Sequence, residues 1–162
     1  MFQESFFKQI IDRPVQSQTD LSEQAKYLGI ELDEQLACAI IYINDLSVLK
    51  KYDSEEARSF ESSVQNTVNE IINDIFKGYT FTWSQGEFVV IFSGAAEMDR
   101  ETFLNKALDM GERLAQTLKQ YFNIRVSVGI SNPYRGYLEL ALAYFEACQA
   151  AQECYYLGMH TA

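Results

Sequence analysis

Tyr79-Thr80-Phe81-Thr82-Trp83-Ser84-Gln85-Gly86-Glu87-Phe88-Val89-Val90-Ile91-Phe92 contains two β-rich runs, 79–83 and 87–92, around the joint Ser84-Gln85-Gly86. Aromatic and β-branched runs closed by so short a glycine-containing joint read as a β-hairpin. Upstream, Ala57, Phe60, Val64, Val68, Ile71, Ile72 and Ile75 recur at spacings of three and four, a helix over 54–76 that Gly78 stops. Asp53-Ser54-Glu55-Glu56 reads as its cap, since acids at a helix start complement the dipole. Before it, 36–43 is apolar on both parities, the mark of a central strand covered on both faces. Downstream, residues 99–121 carry Leu104, Ala107, Leu108, Gly111, Leu114, Ala115 and Leu118 as a second helical stripe. Ile124, Val126, Val128 and Ile130 then alternate with Arg125, Ser127 and Gly129, a period of two. A turn at 131–136 leads into a last helix over 138–157. Its inward face reads as Leu138, Ala141, Leu142, Phe145, Cys148 and Ala151, and Gly158 stops it. From residue 35 the order is β-α-β-β-α-β-α, the split β-α-β pattern of a ferredoxin-like antiparallel sheet in an α+β fold. Helices on one face of that sheet would bury both long stripes.

Residues 1–34 read as an N-terminal helical segment, a linker or dimerisation element ahead of a domain at 35–158 and a tail at 159–162. Phe2, Phe6, Phe7, Ile10 and Ile11 recur at helical spacing until Asp12-Arg13-Pro14 ends the run. Residues 17–30 form a second short helix, capped by Thr19 or Asp20 and ended by Gly29. So short a first helix is marginal alone. Its stripe therefore packs either on its own domain or on the same helix of a second chain, giving a homodimer.

The chain has 162 residues, 48% of them hydrophobic, enough for one cored domain. Thirteen basic residues against 23 acidic ones leave a net charge of −10. That sign repels phosphate backbones and anionic bilayers, so no direct contact with nucleic acid or membrane is expected. Residues 1–12 include Glu4 and Asp12 and have no basic start before an apolar block, so they are not a signal peptide. The apolar run 36–43 is less than half of the roughly 20 residues that span a bilayer. A cytoplasmic protein is expected. Its three cysteines, Cys38, Cys148 and Cys154, cannot all pair within one chain. Cys148 and Cys154 lie about 600° apart around a helix, and free buried thiols are the reading. The one histidine, His160, sits beside the C-terminal end, and neither zinc spacing nor a glycine-rich phosphate loop occurs. On those grounds the chain is expected not to be an enzyme.

Ser84-Gln85-Gly86-Glu87-Phe88 resembles the GGDEF hairpin of diguanylate cyclases. Arg125-Val126-Ser127-Val128-Gly129-Ile130 is similar to their "vSiGi" strand, and residues 138–158 resemble their closing alanine-rich helix. Ile41-Tyr42-Ile43-Asn44 stands in the place of their metal-binding strand end. The resemblance spans about residues 35–158 and implies a nucleotidyl cyclase-like fold. Such cyclases hold two Mg²⁺ ions on carboxylates of the first strand end and the third hairpin position, which activate the 3′-hydroxyl and neutralise the triphosphate. Here Tyr42, Asn44 and Gly86 stand at those positions, and only Glu87 keeps the fourth. Ser84 and Gln85 replace the glycines that admit a nucleotide. Ser47 and Lys50 fall where a phosphate-contacting Lys and a base-contacting Asn belong, and the RxxD motif that would begin near Ile75 is absent. The resemblance therefore implies a degenerate hairpin with no catalytic residues, no metal site and no cofactor.

A more extensive resemblance joins Phe2-Gln3-Glu4-Ser5-Phe6-Phe7-Lys8-Gln9-Ile10-Ile11-Asp12, Ala25-Lys26-Tyr27-Leu28-Gly29-Ile30, the hairpin, the strand at 126–130, and Tyr144-Phe145-Glu146-Ala147-Cys148-Gln149-Ala150-Ala151. Together they are similar to the central region of bacterial AraC-type two-component response regulators. The degenerate domain of sugar-diacid and purine-catabolism regulators looks similar. The implied partners are a receiver domain before this region and a helix-turn-helix domain after it, both outside the chain. The implied function is a non-catalytic relay of receiver phosphorylation to transcription. The other class is a ligand sensor that binds a nucleotide or small metabolite without turnover, its cleft lined by Tyr42, Asn44, Trp83 and Glu87. Trp83 also reads as an aromatic that packs on the sheet.

Overall fold

The computed structural model describes residues 2–12 and 18–156. Two helices, α1 (Phe2–Asp12) and α2 (Gln18–Tyr27), precede β1 (Gln35–Ile43). A 3-10 turn (Leu46–Lys51), α3 (Ser54–Ile75), β2 (Lys77–Ser84), β3 (Glu87–Gly94) and α4 (Arg100–Phe122) follow. The chain closes with β4 (Val126–Ile130), the two-residue β5 (Tyr134–Arg135), a 3-10 turn (Tyr137–Glu139) and α5 (Leu140–Tyr156). All strand pairings are antiparallel, in the order β2-β3-β1-β4, with β5 also on β1. This is the expected ferredoxin-like α+β sheet.

β1 is buried along its length, apart from a half-buried Tyr42. Ala37, Ala39, Ile41 and Ile43 face α3 and α4, with Phe88, Val90, Phe92, Val126 and Val128 beside them. Leu36, Cys38 and Ile40 face the opposite way, toward Phe6, Phe7, Ile10, Leu21, Ala25 and the inner side of α5. The sheet is thus covered on both faces, not on one. The expected cap of α3 is present, the Asp53 side chain accepting a hydrogen bond from the Glu56 N–H. Gly29 ends α2 at φ +73°, and Ile30 N–H returns to the Ala25 carbonyl. Gly78 does not stop α3. It lies within β2, where a methyl group would press on Ile72 and the Ile91 carbonyl. Cys38 is buried and Cys148 half-buried, both as free thiols. Leu157, Gly158, the tail with His160, residues 13–17 and the side chains of Phe2, Thr19 and Cys154 lie outside the described residues.

Two further sequence readings need correction. The segment 131–136, read as a turn, contains β5. β1 residues 39 and 36 pair with Ile130 and Tyr134, so three steps along β1 meet four along its partner, a one-residue bulge. Ser131 closes it: its N–H donates to the Cys38 carbonyl at 2.9 Å, and its Oγ accepts from the Cys38 N–H at 2.9 Å. The inward face of α5 is also different. Leu140, Ala143, Ala147 and Ala151 are buried, whereas Leu138, Leu142 and Phe145 are 37%, 44% and 58% exposed. The cause is Gly129 on β4, where a Cβ would stand 2.0 Å from the Ala147 carbonyl oxygen and 2.4 Å from the Ala151 nitrogen. Only a small-residue face approaches a sheet that closely. Among the described residues, no helix is long and apolar enough to cross a membrane.

Candidate functional site

The strand end and the hairpin meet as the resemblance implies. Ser84 and Glu87 pair across a two-residue turn of Gln85 and Gly86, with Gly86 at φ +77°. The Gly86 carbonyl accepts from Ile43 N–H at 2.8 Å, which ties the turn to the last residue of β1. The Gly86 N–H donates to a Glu61 carboxylate oxygen of α3 at 3.3 Å. Leu46, in the 3-10 turn, fills the space that a Gly86 Cβ would occupy, at 2.3 Å. Phe88 leaves the site altogether and is fully buried among the α3 and α4 side chains.

Tyr42 and Glu87 face each other as cross-strand partners on β1 and β3. The Tyr42 phenol lies beside Glu87 and the Cys148 thiol, and the Tyr144 phenol beside the same thiol. Burial first, then the nearby Cys148 and Glu87, pushes the Tyr42 phenol well above its ordinary value. Tyr144 is raised in the same direction, again first by burial. Burial also raises the Cys148 thiol, although both phenols oppose it. Neither phenol therefore ionises near neutral pH. Trp83 packs on Tyr144 with ring centroids 5.1 Å apart, and the Lys8 ammonium lies 6.0 Å from the Trp83 ring. Glu87 also accepts a hydrogen bond from Ser84 at 2.8 Å.

The structure thus brings Tyr42, Trp83 and Glu87 together. Asn44 lies two residues farther along, its Oδ1 accepting from Ser127 Oγ at 2.8 Å. Tyr144 and Cys148 complete the cluster. Their spacing of four residues on one helix was the available signal, since it sets two side chains one turn apart. A cavity of about 570 Å³ lies elsewhere, lined among others by Lys26, Leu36, Arg135 and Tyr137 at the opposite end of β1.

A pair of Mg²⁺ ions calls for several hard oxygen donors converging on one point. At the strand end the side chains are a half-buried phenol, an amide already held by Ser127, and a glycine whose Cβ direction is filled by Leu46. Among the described residues no three His, Cys, Asp or Glu side chains converge as a metal-holding group. These donors do not fit two such ions.

Comparison with known proteins agrees with the fold. The family described as "GGDEF-like domain" matches residues 12–152. The active GGEEF domain of a diguanylate cyclase from Vibrio cholerae has a similar structure, with TM-score 0.58 and 17% identity over 85% of this chain and 84% of that one. The adenylyl cyclase CyaB from P. aeruginosa gives TM-score 0.49 and 14% identity over 62% and 57% of the two chains. A GGDEF domain from Pseudomonas aeruginosa gives 0.48 and 16% over 95% and 87%. No curated protein is a significant match. The expectation that this chain is not an enzyme is overturned here, because the fold is that of a domain described as an active cyclase. Tyr42, Asn44 and Gly86 are departures within a cyclase-like enzyme family and do not set the chain outside it. With 12–152 matched, the chain belongs to the GGDEF-like domain family.

Proposed function

We propose that this GGDEF-like domain is the signal-relay region of a bacterial transcriptional response regulator. It stands in the cytoplasm between a receiver domain and an AraC-type DNA-binding domain. The observation that supports the reading is the contact of α1 with α5 on the outer face of the sheet. Input arriving through the first helix and output leaving through the last would meet there without crossing the core. Rings fix α1 there, with Phe6 edge-on at 5.6 Å to Tyr137 in the 3-10 turn that leads into α5, and Phe7 against Tyr79 and Phe81 of β2. Packed interfaces of this kind shift between discrete arrangements rather than deform continuously, which suits a relay.

The full-length protein tests it. Its reading frame should encode a receiver before this region and a helix-turn-helix domain after it, and acetyl phosphate should change its affinity for operator DNA. Phe6→Leu keeps the apolar bulk and removes the ring contact, and it should weaken that coupling several-fold while the fold persists. Flanks of another kind, or coupling unchanged by Phe6→Leu, would refute the relay.

A further inference from the structure

β2 ends the sheet, with β3 as its only strand partner among the described residues. From Gly78 to Gly86 the sequence carries no charge, and Tyr79, Thr80, Phe81, Thr82 and Trp83 all favour β structure. An uncharged edge of that composition is a template for adding a foreign strand. Here amide side chains of α3 meet its outward peptide groups. Asn73 Oδ1 accepts from the Gly78 N–H at 3.1 Å, and Asn73 Nδ2 donates to the Gly78 carbonyl at 3.1 Å. In an antiparallel ladder both groups of a residue point the same way, and alternate residues agree. The peptide groups of Gly78 and Thr80 therefore face away from β3. Gln65 Nε2 donates to the Thr80 carbonyl at 3.1 Å, while its Oε1 accepts from Thr82 Oγ1 at 2.9 Å.

We propose that Asn73 and Gln65 guard this edge, occupying the positions on β2 that a strand of a second copy of the chain would take. A side-chain amide carries the donor and acceptor of a peptide unit, so it satisfies the edge without extending it. The spacing fits: eight residues of α3 rise about 12 Å, and four steps from Gly78 to Thr82 advance about 13 Å. Asn73 Nδ2 also donates to the Asn69 carbonyl at 2.8 Å, which fixes which way the amide faces. The buried Thr80 hydroxyl has no hydrogen-bond partner, so Gln65 gives its donor to the peptide group in preference to that hydroxyl.

The 162-residue chain carrying Gln65→Met and Asn73→Ala tests the proposal. Both replacements are good helix formers, so α3 persists while these amide contacts with β2 are lost. In sedimentation velocity from about 10 to about 200 µM, the double variant should associate at least tenfold more tightly than the unsubstituted chain. Adding Thr80→Pro should abolish that gain, because proline removes an outward N–H and leaves the bonds to β3 in place. A folded double variant that associates no more tightly, or association that survives Thr80→Pro, would overturn the proposal. If circular dichroism shows the double variant unfolded, Asn73→Ala alone decides, at an exposed position. It frees both peptide groups of Gly78 and should tighten association several-fold, and no change would overturn the proposal equally.

Discussion

A methyl group on Gly129 would stand 2.0 Å from one α5 backbone atom and 2.4 Å from another, with neither able to rotate away. Gly129→Ala must therefore push the helix off the sheet, and overpacking of this kind costs about 1–3 kcal/mol, occasionally more. An unfolding free energy lowered by about 1–3 kcal/mol is expected, read as a lower urea midpoint at unchanged slope. Tyr134 acts at longer reach. Its hydroxyl donates to Glu146, and that hydrogen bond is the main cause that pushes its pKa from 10.0 to about 12. Glu146 moves down: burial works against the shift, but the bonds from Tyr134 and Asn132 outweigh it. A phenol raised in the folded state stabilises it below pH 10 and loses that contribution as pH climbs through about 12. A carboxylate depressed in the folded state stabilises it above its ordinary range and loses that contribution as pH falls. Tyr134→Phe should thus flatten the decline in stability between pH 10 and 12 and shrink the acid limb, which a series of melts at stepped pH would show. An unchanged alkaline decline would count against this account.

The hairpin is the element on which sequence and structure agree best, and its turn sets a limit on what may occupy it. Gly86 holds φ +77°, a left-handed conformation that costs a side-chain-bearing residue about 1–2 kcal/mol. Leu46, 44% exposed, can swing away from a new Cβ. Gly86→Asp, which restores an acid at the third hairpin position, should fold with a loss of about that size in chemical denaturation. A loss well above it would mean that Leu46 is not free to move. The hairpin was legible because turn chemistry and strand composition lie within fifteen residues. β1 was legible because burial on both faces leaves no polar parity. α5 was misread for a physical reason: hydrophobic periodicity favours the large residues Leu138, Leu142 and Phe145, whereas close approach to Gly129 selects small ones. β5 escaped because two residues after a proline carry no period at all. The closure of Tyr144 and Cys148 over Tyr42 joins residues a hundred positions apart, which no local pattern records.

At the scale of the molecule, the charge of −10 dominates encounters with other polymers. Counterion release, the main source of non-specific affinity for DNA, needs a cationic surface. This segment alone should not retard duplex DNA at sub-micromolar protein in about 100 mM salt. Retardation under those conditions would show a cationic face that the net charge conceals. The sheet order has another consequence, in time rather than in space. β1 is central, yet every strand that pairs with it is made later: Tyr42 meets Glu87, 45 residues on, and Gln35 meets Arg135, 100 residues on. At synthesis rates of about 5–20 residues per second, Gln35 waits about 5–20 s for its last neighbour. Until β3 is made, 47–57 residues on, Leu36-Ala37-Cys38-Ala39-Ile40-Ile41 is a bare, uncharged β-former, the kind of segment that pairs with whatever strand is nearest, and its second edge stays open until β4 and β5 follow. The strand that anchors the finished domain is also the one that a nascent chain most needs to have shielded.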